Sequence, residues 1–190
     1  MGFLDILRGK RELKQPAGDR LFAMSTAYIK FEMELELTTT GKAAIVFQPL
    51  ATADFEGIVK DMEEVVNATG EETGTTVTSD DDEFGYRWMI IGDPELEDLA
   101  VGVNAVSDAL AVGGYSDRVL CAVFAFEDTT KQPIYFIYNY KRGYWYPFVP
   151  ASGEQQRSVE RELQLKAQIG GELPIEPELE RWFPLWGVPI

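Results

Sequence analysis

The chain is expected to fold as an α+β domain, mainly an antiparallel sheet flanked by helices. Three observations carry this reading. Apolar runs at 118–127 and 133–141 and an aromatic run at 144–149 follow one another across short breaks, as consecutive antiparallel strands do. The stretches 54–68 and 93–112 repeat their apolar residues at i, i+3, i+4 and i+7, the spacing of a helix with one buried stripe. A length of 190 residues, 45% hydrophobic and 26% charged, is enough to bury a substantial core in one domain. The expected organisation is an amphipathic helix at 1–14, a single domain at 21–172 with a candidate lobe boundary near 93, and a Pro/Trp-rich strap at 173–190.

Residues 1–14 place Phe3, Leu4 and Leu7 on one side of a short helix and follow them with Arg8, Lys10, Arg11 and Lys14. Two readings stand for it: a terminal helix packed on its own domain, or a docking segment with weak affinity for a membrane surface. Gln15, Pro16, Ala17 and Gly18 make a linker, and residues 21–27 start a helical turn. Residues 28–37 alternate strictly, with Ile29, Phe31, Met33, Leu35 and Leu37 opposite Lys30, Glu32, Glu34 and Glu36. That pattern predicts a strand with one wet face. Thr38, Thr39, Thr40 and Gly41 then read as a turn, and 42–48 as a strand pairing back as a hairpin.

The helix over 54–68 should bury Phe55, Ile58, Val59, Met62, Val65 and Val66. Residues 70–78 read as a loop and a short strand, the acidic run at 79–83 as a solvated turn, and 84–92 as a strand. Asp93 is placed to cap a helix that has Pro94 in its first position. This helix buries Leu96, Leu99, Val103, Val106 and Leu110 and stops at Gly113 and Gly114. After the three strands, a helix over 154–169 turns Val159, Leu163 and Ala167 inward.

Composition removes several function classes. The chain has no histidine, which eliminates Ser-His-Asp and Cys-His catalysis. Its one cysteine, Cys121, lies in an apolar run, suits a reducing cytoplasm and reads as a buried, inert thiol. A net charge of −15 opposes nucleic-acid binding, although the basic-aromatic run at 141–149 loosely echoes an RNA-binding strand. Residues 70–76 lack the lysine and spacing of a phosphate loop, and 79–83 lack those of a calcium loop. Ser116 has no base to activate it. No catalytic residue, metal site or cofactor is therefore assigned. The region 54–98 carries fifteen acids with only Lys60 and Arg87, an excess that fits a salt-rich cytoplasm.

Three stretches carry a resemblance: MGFLDILRG at the start, YKRGYWYPFVP with its following helix, and LPIEPELERWFPLWGVP at the end. Together they resemble the PspA-associated PspAB family of actinobacteria and archaea, and the acid-rich middle is similar to what a haloarchaeal member would carry. The resemblance implies a cytoplasmic partner protein of the phage-shock, envelope-stress system, linked to PspA and to the membrane protease HtpX. It implies no catalytic residues.

The expected function is a non-enzymatic adaptor for a PspA-like or HtpX-like partner, cytoplasmic or peripheral to the inner membrane face. The candidate partner-binding residues are Phe3, Leu4, Leu7, Arg142, Tyr144, Trp145, Trp182 and Trp186. The alternatives are a small-molecule sensor or enzyme with an apolar pocket beside Arg142, and a client-specific chaperone.

Overall fold

The computed structural model describes residues 18–190. The helix expected at 1–14, with Phe3, Leu4 and Leu7, lies outside the described residues. Among the described residues the helices are α1 (Gly18–Leu35), α2 (Ala53–Thr73), α3 (Leu96–Val112) and α4 (Val159–Ile169). The strands are β1 (Thr38–Phe47), β2 (Thr76–Asp81), β3 (Arg87–Gly92), β4 (Val119–Glu127), β5 (Pro133–Asn139) and β6 (Tyr144–Phe148). All six form one sheet in the order β2-β3-β1-β4-β5-β6, every neighbouring pair antiparallel. The α+β expectation holds. Strands from both sides of residue 93 share this sheet, because β1 sits between β3 and β4.

The two faces of the sheet are covered differently. Ala43, Ile45, Phe47, Phe124, Phe126 and Phe136 point to a core shared with all four helices. The alternate residues Ala44, Val46, Val123, Ile137, Tyr146 and Phe148 point the other way, where the cover is the C-terminal segment with Trp182, Leu185, Trp186, Val188 and Ile190. Both faces being buried, β4 and β5 are apolar at nearly every position rather than alternating.

The first expected strand is a correction. Residues 28–35 continue α1, which buries Leu21, Met24, Ala27 and Phe31 and sets the Phe31 ring 4.6 Å from that of Phe136. Ile29 and Met33, which the alternating reading turned inward, are 61% and 80% exposed. From Lys30 the alternation is made mostly by Lys, Glu, Met and Leu, all strong helix formers, and Ile29 is the one β-branched residue in the stretch. Glu36 ends the helix in the left-handed region (φ 53), and the Leu37 N–H folds back onto the Phe31 carbonyl at 3.0 Å.

The expected turn at Thr38–Gly41 is instead the start of β1. The register against β4 slips between Thr39 and Ala43, a bulge that Gly41 permits at φ 73. A Cβ at Gly41 would stand 3.1 Å from the Asp93 carbonyl oxygen, so this strand and the entry to α3 approach closely there. α3 itself starts at Leu96, later than expected. Asp93 does not cap it but closes the preceding turn, accepting from the Glu95 N–H (2.8 Å) and the Thr75 hydroxyl (2.6 Å). The end of α3 is as read. Gly114 takes φ 85, Tyr115 N–H reaches the Leu110 carbonyl (2.7 Å), and Gly114 N–H reaches that of Ala111 (3.0 Å), a Schellman closure.

Two further details differ. α2 buries Phe55, Val59 and Met62, while Val65 of the expected stripe is exposed. α4 begins at Val159 and turns Glu162, Leu165 and Ile169 inward, leaving Val159, Leu163 and Ala167 exposed. The buried Glu162 sets that register.

Candidate functional site

The C-terminal segment joins the sheet at the free edge of β6. Trp145 N–H donates to the Pro174 carbonyl (2.9 Å) and Glu176 N–H to the Trp145 carbonyl (2.8 Å). This single parallel bridge covers an edge that would otherwise invite pairing. From there the chain crosses the second face. Trp182 stacks on Tyr146 with ring centres 6.2 Å apart, and Trp186 meets Phe148 edge-on at 5.2 Å. The Tyr146 hydroxyl donates to the Phe183 carbonyl (3.1 Å) and the Tyr135 hydroxyl to that of Ile190 (3.0 Å).

Two arginines hold this strap. Arg142, on the β5–β6 turn, donates to the buried Glu176 carboxylate (2.5 and 3.0 Å) and to Glu178 (3.1 Å). The turn is shaped for this. Gly143 takes φ 70, and the Gly143 carbonyl accepts from Arg20 Nη1 (3.1 Å). Arg157, just before α4, donates to both oxygens of buried Glu162 (2.9 Å each) and to the Trp182 carbonyl (2.6 Å). Glu162 also accepts the Val149 N–H at 2.9 Å, so its burial is fully compensated. An acid at that position looks solvent-facing from helical periodicity alone, and this is why the register of α4 was misread.

At the far end of the strap, Trp186, Gly187 and Pro189 face the β2–β3 connection across a cleft of about 270 Å³. The acidic run, read as a turn at 79–83, is split: Ser79 to Asp81 belong to β2, and the turn begins at Asp82. Asp82 organises the turn by accepting from the N–H groups of Phe84 and Tyr86 and from the Trp88 indole, each at 2.9 Å. Asp81 pairs with Arg87 (2.7 and 3.0 Å), whose guanidinium holds the Asp81 carboxyl below its ordinary pKa. On the other side of this hairpin, Glu56, Lys60, Glu63 and Arg87 line a second groove of about 440 Å³ beside α2.

Among the described residues no group of three or more His, Cys, Asp or Glu could hold a metal ion. Cys121 is buried, and desolvation pushes its thiol up to about 12. Ser116 lies in a short 3-10 turn before β4. No described helix is long and apolar enough to cross a membrane.

A family model described as PspA associated protein B matches residues 1–190, the whole chain. The chain belongs to this family. No curated protein and no solved structure matches it. For a member of the PspA associated protein B family, the residues singled out from sequence fall into distinct settings. Trp145 is fully buried and donates its indole N–H to the Arg20 carbonyl at 2.8 Å. Trp182, in the strap itself, is buried against the sheet and donates to the Glu176 carbonyl at 3.0 Å. Tyr144 is half-buried between the guanidinium groups of Arg20 (5.7 Å) and Arg142 (5.9 Å). Arg142 is paired with Glu176 and Glu178. Trp186 lines an open cleft. The sequence reading missed Arg20, Arg157, Glu162 and Glu176, whose pairings join distant parts of the chain. It placed Phe84, directly after the acidic run, at the start of a strand and not among the candidate site residues; the ring is 57% exposed.

Proposed function

We propose that this protein is a non-enzymatic adaptor that binds a PspA-type partner of the membrane-stress response. The observation that carries the reading is the family match over residues 1–190, since the family's description records association with PspA. The side-chain pairing around the strap supports it. The arginines and buried carboxylates near the strap are paired with one another, the hydroxyls of Tyr135 and Tyr146 donate to strap carbonyls, and the cysteine is desolvated. An HtpX-like membrane protease is the alternative partner, and the protein works in the cytoplasm or against the inner face of the membrane.

Affinity capture of the full-length chain from its own cells, in native salt, tests this. Enrichment of a PspA-type protein, followed by direct binding of the two purified proteins, is the expected result. Enrichment of an HtpX-type protein alone would move the adaptor to the alternative partner. Absence of both, with a small molecule co-purifying, would overturn the adaptor reading.

A further inference from the structure

We propose that the cleft between the β2–β3 turn and Trp186 receives an arginine side chain presented by a protein partner. This rests on the adaptor reading and names the chemistry of its contact. The argument starts from which carboxylates are already used. Asp81 is neutralised by Arg87, and Asp82 is consumed by the turn and the Trp88 indole. The side chains of Asp80 and Glu83 also line the cleft, and among the described residues they make no hydrogen bond or ion pair. Asp80 lies directly opposite Trp88 in the β2–β3 ladder, on the strap side of the sheet. Two uncompensated negative charges thus sit beside Phe84 and Trp186, in a molecule whose net charge is −15.

Carboxylates beside aromatic faces are the complement of a guanidinium. Its plane stacks on an indole or phenyl ring while its edge donates to a carboxylate, an arrangement an ammonium group cannot match. A metal ion is a poorer fit, because tryptophan, phenylalanine and proline supply no ligands. At about 270 Å³ the cleft falls below the ~300–1,000 Å³ of small-molecule sites, which suits one side chain. A second copy of this acidic chain would bring like charge. The opposite side of the same hairpin shows the pairing within the molecule: Arg87 is held there between Asp81 and Glu56 (3.2 Å).

The test uses the full chain and two probes. The first is the blocked tripeptide acetyl-Gly-Arg-Gly-amide, with a norleucine counterpart as control, titrated while the Trp indole resonances are followed by NMR. The Trp186 signal is assigned through Trp186→Phe. The expected result is movement of the Trp186 indole and of the Phe84 and Gly85 amides with the arginine peptide only. The double variant Asp80→Asn, Glu83→Gln should weaken this roughly five-fold, as expected for two exposed ion pairs. Both side chains are free of bonds, so its unfolding midpoint should match the parent's. No movement at Trp186, equal movement with norleucine, or undiminished binding to the double variant overturns the proposal.

The second probe is the purified PspA-type protein. Weaker binding to the double variant supports the cleft as its contact. Equal binding to both forms overturns that assignment and leaves the adaptor reading standing. If the arginine peptide binds at Trp186 but the PspA-type protein binds neither form, the adaptor reading fails and the cleft stands for another partner.

Discussion

Arg157→Ala should destabilise the protein by about 3 kcal/mol, more than an ordinary surface arginine would. The side chain of Glu162 is 2% exposed and that of Arg157 is 19% exposed. Removing one partner of a fully buried pair costs about 3–5 kcal/mol, because the other charge stays buried. Solvent reaching Arg157 and the remaining Val149 N–H bond reduce that to about 2 kcal/mol. The lost hydrogen bond to the Trp182 carbonyl adds about 1 kcal/mol, with a smaller loss from the guanidinium over Phe148. For a chain of this size the midpoint should fall by about 6–12 °C. Thermal and urea unfolding at constant salt measure it, and the folded variant should also show red-shifted tryptophan emission as the strap loosens. Arg157→Lys should recover less than half of the loss, since a single ammonium cannot span Glu162 and the Trp182 carbonyl. A loss under about 1 kcal/mol for Arg157→Ala would refute the view that this arginine fastens the strap.

Other substitutions probe the fold and the thiol. Ile29→Gln and Met33→Gln should each change stability by less than about 0.5 kcal/mol, whereas Phe31→Ala should cost about 3–5 kcal/mol. A large loss at Met33 in urea unfolding would restore the strand reading of this segment. Trp145→Ala should cost about 3–5 kcal/mol, for it empties a fully buried site and removes the indole bond to the Arg20 carbonyl. A stable, well-folded variant that loses only partner binding would contradict the core assignment. Cys121, with its thiol raised to about 12, should resist a thiol-specific reagent in the folded protein at pH 8 and react once urea unfolds it. Rapid labelling of the folded form would show that the thiol is accessible.

How far the sequence could be read depended on the range of the interactions involved. Helix α3 was legible because Leu96, Leu99, Val103, Val106 and Leu110 form an unbroken stripe and two glycines end it. Strands β4 to β6 were legible because their apolar runs are too continuous and too short for anything but a sheet buried on both faces. The stretch 28–37 was misread because one string of apolar residues satisfied two periods. What decided it was packing of Phe31 against Phe126 and Phe136, strands that lie far along the chain. The register of α4 was hidden for a related reason. Glu162 looks like a surface residue until Arg157 and the Val149 N–H are brought to it. At the candidate cleft, Trp186 was legible as an aromatic in a segment without helical period. Its neighbours Asp80 and Phe84 were not, because hairpin and strap meet only in the folded chain.

The unequal covering of the two sheet faces has a consequence for the order in which the molecule can be completed during synthesis. The first turn of α1 is bonded to the β6 end of the sheet, across 125 residues between Trp145 and Arg20, so the helical side cannot close until β6 has been made. The opposite face waits longer, because the strap that covers it follows every strand it touches. At ~5–20 residues per second, the roughly forty residues from β6 to Ile190 take about 2–8 s to make. During that interval Val46, Val123, Ile137 and Phe148 form a bare apolar surface on a nascent chain, which is the period when this protein most needs protection from aggregation.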